Sequence, residues 1–378
     1  MRTPEDELRE LDSHDLLRGL RVVSSPRHPH LTVERREVLN FASNDYLGLA
    51  QHPALTEAAI RATRDYGTGS TASRLICGSL DIFHELEEHL ATVKQAEAAL
   101  TFANGFATAT GTIPALVGRG DTIILDKLSH ACLIDAARLS GATLRVFPHN
   151  DLNKLEKLLI SGKGRTLLIT ESVFSMGGDL CPLERIVALK EQHGALLLLD
   201  EAHATGVLGP NGYGLAEELG LQDRIDFQMG TLGKALGSAG GYFAASRQWI
   251  DLLINKARSF IYSTAPPPSQ AAASLAALRL LRTNEGQSLR DKLQANLSIF
   301  RSQILDLESL PPIIPHVVGD NATALATSRA LFEKGFLVPA VRYPTVPKNT
   351  ARLRITLTAA HQREQIEDLR NAINSLKS

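Results

Sequence analysis

The sequence predicts an α/β protein, with a mostly parallel sheet in a large domain followed by a smaller C-terminal α+β domain. Three observations lead there. Short, nearly continuous apolar stretches recur at 98–102, 122–125, 144–147, 166–170, 195–199, 226–229 and 241–245. Between most of them lie stretches with apolar residues at helical spacing, such as 183–193. Strands that read as unbroken apolar runs between helices are those covered on both faces of a parallel sheet. The third observation is the break Pro266-Pro267-Pro268, after which a long helical stretch runs from 269 to about 281 and the strand signals weaken.

In chain order, residues 4–20 read as an amphipathic helix, with Leu8, Leu11, Leu16, Leu17 and Leu20 on or near one face. Pro26, Pro29 and two histidines read as an extended linker, and 38–43 as a short strand entering the turn Asn44-Asp45-Tyr46-Leu47-Gly48. After the alternating region, strands are expected at 322–324, 337–341 and 352–358, with a closing helix over 363–376. The expected division is 1–45 for the N-terminal helix and linker, 46–268 for the large domain and 269–378 for the small one. There is no internal repeat and no low-complexity tract.

Composition removes several function classes. Lys plus Arg is 40 against 41 for Asp plus Glu, and this balance gives no support to a nucleic-acid or membrane-surface partner. Cys77, Cys132 and Cys181 are widely spaced, so neither a disulfide framework nor a structural metal site is expected. No apolar run approaches the roughly 18 residues of a membrane span. The charged start of the chain is unlike a secretory signal. A soluble, cytoplasmic protein is expected.

The most informative residues lie in the alternating region. Asp200-Glu201-Ala202-His203 ends the apolar run 195–199, and Lys234 follows 34 residues after Asp200 in the small-residue turn Thr231-Leu232-Gly233-Lys234-Ala235-Leu236-Gly237. Alone, a Lys in a turn is usually a solvated charge, and an Asp after a strand is often a helix N-cap. In this order in an α/β chain, they are the parts needed to bind pyridoxal phosphate. The carboxylate can keep the pyridine nitrogen protonated, and the amine can form a Schiff base with the aldehyde.

Other residues fit the same cofactor. Gly105-Phe106 follows a strand and opens a helix whose exposed N–H groups suit a phosphate, although a tight turn alone would also need the glycine. Thr231 can add a hydroxyl to that phosphate. The ring of His130, after the strand 122–125, can stack on a flat cofactor, although a lone histidine there is more often structural. Ser175 follows another strand and can orient a ligand hydroxyl.

Two rival readings fail on spacing. The Asp-Glu-Ala-His tetrapeptide also marks helicases, which need a Gly-x-x-x-x-Gly-Lys-Ser/Thr loop upstream. The Gly-Lys pairs here, Gly162-Lys163 and Gly233-Lys234, lack both the following Ser or Thr and the earlier Gly. The segment 67–72 (Gly-Thr-Gly-Ser-Thr-Ala) resembles a dinucleotide fingerprint, but it follows a helical stretch where a strand is required. A flexible loop near an active site fits it better.

Four segments together resemble the α-oxoamine synthase family of fold-type-I pyridoxal-phosphate enzymes. They are 40–48 (Asn-Phe-Ala-Ser-Asn-Asp-Tyr-Leu-Gly), 67–75 (Gly-Thr-Gly-Ser-Thr-Ala-Ser-Arg-Leu), 200–209 (Asp-Glu-Ala-His-Ala-Thr-Gly-Val-Leu-Gly) and 231–237. The likeness runs from about residue 16 to 370. It implies the fold-type-I transferase fold and a homodimer. It also implies that Lys234 carries the cofactor, that Asp200 pairs with the pyridine nitrogen, and that His203 and Ser175 act around the ring hydroxyl. By the same resemblance His130 stacks on the ring and counts among the catalytic and substrate-contacting residues, while Gly105, Phe106 and Thr231 surround the phosphate. Arg21, Arg342 and Thr345 match positions that handle a substrate carboxylate or acyl chain.

Within the family, 342–347 and 350–361 most resemble the branch that serves biotin synthesis. That branch implies L-alanine and a pimeloyl thioester as substrates, the acyl group being carried by coenzyme A or an acyl carrier protein. Ala72 stands where many relatives have Gly, and Tyr343 where the biotin branch often has Pro. Tyr-Pro-Thr-Val-Pro also occurs in the aminolevulinate-forming branch, so a sibling joining glycine or serine to another acyl thioester is the alternative. A catalytically idle cofactor-binding protein is a third reading, against which the intact Lys234, Asp200 and His203 speak.

Overall fold

A computed structural model of the protein describes residues 2–25, 28–300 and 310–376; Pro26, expected in a linker, lies outside the described residues. The chain divides into two compact units. One comprises Asp45–Ser175 and Asp179–Asp291, the other Met1–Asn44, Met176–Gly178 and Lys292–Ser378.

The larger unit is built on a seven-stranded sheet. Its order is Ala98–Phe102, Gly241–Ala245, Phe227–Thr231, Leu196–Asp200, Thr166–Glu171, Thr122–Asp126 and Thr143–Phe147. Gly241–Ala245 is antiparallel to both neighbours and the other pairings are parallel, as expected for strands separated by helices. Leu197, Leu198 and Leu199 are wholly buried, as are Leu167, Leu168 and Ile169 beside them. Residues without a polar face form strands only where both sides of the sheet are covered. The parallel register sets Glu171 beside Asp200, and Asp200 beside Met229. Three strand ends therefore carry their terminal side chains to one edge, the place where open α/β sheets bind ligands.

Helices complete this unit. Gly105–Leu116 begins at Asn104, whose side chain accepts the N–H of Ala107. Ala131–Ser140 begins at His130, whose ring accepts the N–H of Cys132. The helix Pro268–Leu281 packs against the helices Pro53–Tyr66 and Asp81–Val93 and buries Ala271, Ala272, Ala273 and Ala277. Small side chains allow that close packing, and for this reason the helix stays with the larger unit. The division falls at Asp291/Lys292, beyond the expected boundary at 268/269. The loop after residue 67 is tied down by a bridge between Ser73 and Thr264 and by the Ser70 hydroxyl on the Pro266 carbonyl at 2.6 Å.

The smaller unit holds two sheets. Ile313–Gly319, Ala351–Thr356 and Ala340–Val341 form an antiparallel three-stranded sheet with Ala351–Thr356 in the centre. Val23–Ser25, His30–Val33, Arg36–Asn40 and Phe336–Leu337 form the second, in which Phe336–Leu337 runs parallel to Arg36–Asn40. That pairing joins the N-terminal segment to the C-terminal part of the chain, where a separate segment over 1–45 was expected.

Local expectations are corrected in three places. The first helix is Pro4–Ser13 and has no buried residue; it ends at His14, and Asp15 turns into the left-handed region at φ 56°. Leu16, Leu17 and Leu20 therefore lie beyond it. Residues 322–324 belong to the helix Asn321–Glu333, because the Asp320 side chain caps it through the N–H of Thr323. The strand expected over 337–341 is two short strands, Phe336–Leu337 and Ala340–Val341, separated by Val338-Pro339.

Candidate active site

One cavity of about 180 Å³ at the strand ends of the larger unit gathers most of the residues singled out above. Gly105, Phe106, His130, Asp200, His203, Thr231 and Lys234 line it, together with Cys132 and Glu171. Ser175 is buried and is not among the lining residues; its backbone N–H donates to the Glu171 carboxylate. Arg21, Arg342 and Thr345 belong to the smaller unit. There Arg342 donates to the carbonyls of Asp15 and Leu17, Arg18 reaches the Thr345 hydroxyl at 3.4 Å, and the Arg21 guanidinium lies 4.8 Å from the centre of the Phe332 ring.

Lys234 is half-buried, and its Nζ is 2.8 Å from Nε2 of His203. The other ring nitrogen of His203, Nδ1, is 2.6 Å from the hydroxyl of the wholly buried Tyr46. A neutral imidazole has one donor and one acceptor nitrogen, so two arrangements are consistent. In one, ammonium donates to Nε2 and Nδ1–H donates to the Tyr46 oxygen. In the other, Tyr46 donates to Nδ1 and Nε2–H donates to a neutral amine. The three side chains thus form a line along which a proton can be redistributed.

Asp200 is buried at the end of its strand, and its Oδ1 accepts the N–H of Ala202 at 2.9 Å. Burial raises its pKa above the ordinary aspartate value, and the Lys234 charge opposes that rise. Glu171, beside it in register, is pushed up to about 8 by burial and then by Asp200. Its Oε1 accepts the backbone N–H of His130 at 2.5 Å. Two buried carboxyls side by side favour a cation or a shared proton between them and the cavity. His130 moves the other way: burial lowers its pKa, while Asp200 pulls it back up.

Beneath this lies a buried ion pair. Lys94 donates to Glu201 Oε2 at 2.7 Å, to the Thr205 hydroxyl at 3.0 Å and to the Tyr213 carbonyl, with both charged side chains 0% exposed. Burial works against the Lys94 cation, and Glu201 and Tyr242 outweigh it, so the ammonium stays above the usual lysine value. Glu201 Oε1 accepts the N–H of Ala216 at 3.0 Å, so both oxygens are used. This pair fixes the residue between Asp200 and the His203 turn.

The cavity has the features a phosphate-bearing aromatic aldehyde requires. At the start of Gly105–Leu116, Asn104 caps Ala107, whereas the N–H groups of Gly105 and Phe106 have no protein acceptor among the described residues. A helix N-terminus with open donors attracts an anion. A side chain added at Gly105 would stand 3.7 Å from Cβ of Thr231, on the opposite wall. The Thr231 hydroxyl donates to the Gly240 carbonyl at 2.9 Å and accepts the N–H of Gly233 at 3.1 Å, so it would have to leave Gly240 to donate to a phosphate.

A family model for class I and II aminotransferases matches residues 36–373. The 8-amino-7-oxononanoate synthase of Geobacter sulfurreducens is 49% identical over 368 residues, 96% of this chain and 94% of the relative. The chain belongs to the α-oxoamine synthase family. A synthase of the same name from Thermoanaerobacter pseudethanolicus is 43% identical over 96% of this chain and 93% of its own length. Among solved structures, a serine palmitoyltransferase from S. paucimobilis bound to a PLP–myriocin aldimine superposes with a TM-score of 0.91 at 28% identity, covering 98% of this chain and 95% of that one. The 8-amino-7-oxononanoate synthase of Francisella tularensis gives 0.76 at 29%, covering 90% and 98%.

This α-oxoamine synthase has the fold-type-I transferase fold, is a pyridoxal-phosphate-dependent acyltransferase, and takes pyridoxal 5′-phosphate as its cofactor. No described helix is long and apolar enough to cross a membrane. Sequence reasoning missed three residues of the site, among them Cys132, which was weighed only for its spacing from the other cysteines. Glu171 ends an apolar strand just as Asp200 does, so the same signal was available. Tyr46 lies 157 residues from His203, and nothing local marks it as that ring's partner.

Proposed function

We propose that the protein joins L-alanine to a pimeloyl thioester, releasing the thiol and carbon dioxide and forming 8-amino-7-oxononanoate for biotin synthesis. The observation that carries this reading is that Lys234, His203 and Asp200 line one cavity, with the Tyr46 hydroxyl on His203 Nδ1, in a chain 49% identical to a synthase of that name. The acyl group arrives on coenzyme A or on an acyl carrier protein. A homodimer in the cytoplasm completes the reading, and three unpaired cysteines are consistent with a reducing compartment.

Bound pyridoxal phosphate supplies an electrophilic carbon for amines and a ring that takes up the electron pair left when the alanine Cα loses its proton. The chain's residues do the rest. Gly105 and Phe106 would hold the phosphate with their N–H groups at the helix N-terminus. Asp200 would hold a proton on the ring nitrogen, and such a cation would relieve the burial that otherwise raises the carboxyl's pKa. His130 would pack against the bound ring, its backbone fixed by Glu171. Lys234 would hold the cofactor through its amine, and that amine when free would take the Cα proton; His203 and Tyr46 offer it a partner in either protonation state. His203 would orient the ring hydroxyl, and Ser175, buried outside the cavity lining, would reach it only by turning inward. Arg21, Arg342 and Thr345 handle the acyl chain and its carboxylate, a task suited to a planar guanidinium.

The closer fold match to a serine palmitoyltransferase does not favour a serine substrate. A TM-score reports the path of the backbone, and that match shares 28% of residues against 49% for the biotin-branch relative. The test is thiol release by the cofactor-loaded protein across L-alanine, glycine and L-serine paired with pimeloyl and other acyl thioesters. Turnover confined to L-alanine with pimeloyl thioester supports the reading; a preference for glycine or serine with another acyl group overturns it.

A further inference from the structure

We infer that His149 is a positioning residue: a protonated imidazole that clasps Asp126 and Asp179 and so holds the two loops carrying His130 and Ser175. The inference rests on the proposed reading of those loops as parts of the active site. The geometry is direct. Nδ1 of His149 is 3.0 Å from Asp126 Oδ1, and Nε2 is 2.5 Å from Asp179 Oδ2. A neutral ring can donate to only one of two carboxylates, whereas the cation donates to both.

The clasp is anchored on each side. Asp126 is wholly buried at the end of its strand, four residues before His130. Its two oxygens also accept the N–H groups of Leu128 at 2.8 Å and Asn150 at 3.0 Å, which fixes the turn leading to His130. Asp179 lies four residues after Ser175, and its carbonyl accepts the N–H of Phe174 at 2.9 Å. The Phe174 ring meets His149 edge-on, with centres 4.4 Å apart. Asn150 adds a bond to the Leu180 carbonyl at 3.1 Å, and Val173 and Leu180 form a short antiparallel bridge. The 173–180 turn is thus closed at its base and pinned to the strand that leads to His130.

The groups facing the imidazole fix the sign of its response to pH. Asp126 and Asp179 are the charged side chains against it, and Asn150 and Phe174 carry no charge. Burial lowers the His149 pKa, and hydrogen bonds and charge from the two aspartates reverse that and raise it to about 9. This lies above the unfolded value of about 6.5. The clasp's contribution is therefore fully present below about 6.5 and is lost as pH rises through about 9. Without it, the two carboxylates face each other across a ring that can serve only one.

Two measurements test this. The first is a histidine-selective ¹⁵N NMR titration of the native, cofactor-loaded chain, with His149→Gln used only to assign the signal. Both ring nitrogens should remain protonated to about pH 9. Titration near the ordinary histidine value overturns the clasp. The second is the pH profile of kcat/KM for Asp179→Asn, which leaves His149 one carboxylate. The alkaline limb should move down by about one pH unit. A merely structural role would lower the whole curve without moving the limb, and that result overturns the positioning role. Failure of the active-site reading itself would appear separately, as turnover surviving Lys234→Ala, and would leave the NMR titration unchanged.

Discussion

Replacing Lys94 with Met removes a cation from a place with no access to water. The native ammonium lies 2.7 Å from Glu201 Oε2, 3.0 Å from the Thr205 hydroxyl and against the Tyr213 carbonyl, and neither side chain of the pair is exposed. In Lys94→Met the Glu201 carboxylate keeps the Ala216 N–H but faces the interior without its counter-charge. Breaking a buried pair from one side costs about 3–5 kcal/mol, mostly for the charge left behind. The double variant Lys94→Met/Glu201→Gln should recover much of that loss. Arg224–Glu191 provides the contrast: at 2.5 Å it is shorter, but its side chains are 42% and 41% exposed, so solvent screens it and Arg224→Met should change stability far less. The assay is urea unfolding followed by the fluorescence of Trp249, the single tryptophan, whose ring packs edge-on against Phe227 in the larger unit. A loss below about 1 kcal/mol for Lys94→Met would refute the reasoning, because it would mean that water or a relaxed backbone solvates Glu201.

Three further outcomes are expected. Tyr46→Phe takes the hydroxyl from His203 Nδ1 at a buried position, a loss of roughly 1–3 kcal/mol, and should lower kcat/KM about tenfold or more with the fold retained; near-normal kinetics would remove Tyr46 from the proton line. Asp200→Asn should still bind pyridoxal phosphate but exchange the alanine Cα proton far more slowly, as read by deuterium incorporation from solvent; exchange at the native rate would contradict the role given to this carboxyl. His361 is wholly buried, with Nδ1 accepting the N–H of Thr358 and Nε2 donating to the Asn40 carbonyl, and burial holds its pKa down to about 3. Its neutral form contributes fully above the unfolded value of about 6.5, and stability falls below that as the unfolded chain takes up a proton the native ring refuses. Unfolding free energies from pH 7.5 to 4.5 should slope less in His361→Gln than in the native chain; equal slopes would count against it.

The sequence made the larger sheet legible because its strands are apolar on both faces, so 98–102 and 241–245 are predicted to the residue and the others to within one or two at either end. The smaller unit was less legible because its strands alternate or are interrupted. Pro315 hides the strand Ile313–Gly319, and Ala322-Thr323-Ala324 reads as a weak strand until the Asp320 cap is recognised. The N-terminal helix was overextended because leucines continue past Ser13 at helical spacing, while nothing in the pattern marks the left-handed turn at Asp15. In the site, Lys234, Asp200, His203 and Gly105 stood out through local motifs. Glu171 closes an apolar strand as Asp200 does, whereas Tyr46 and His149 act through partners brought together only by folding, and no local spacing reports such pairings. The Thr231 hydroxyl is a different case: it was expected to face a phosphate, and its proton is given to Gly240.

Borohydride reduction of the cofactor-loaded protein, followed by peptide mapping, tests the assignment of Lys234 most directly. It should place a single phosphopyridoxyl group on Lys234, in the peptide containing Thr231–Gly237, and none in Lys234→Ala. A label on another lysine, or none on the native chain, would contradict the account of the site.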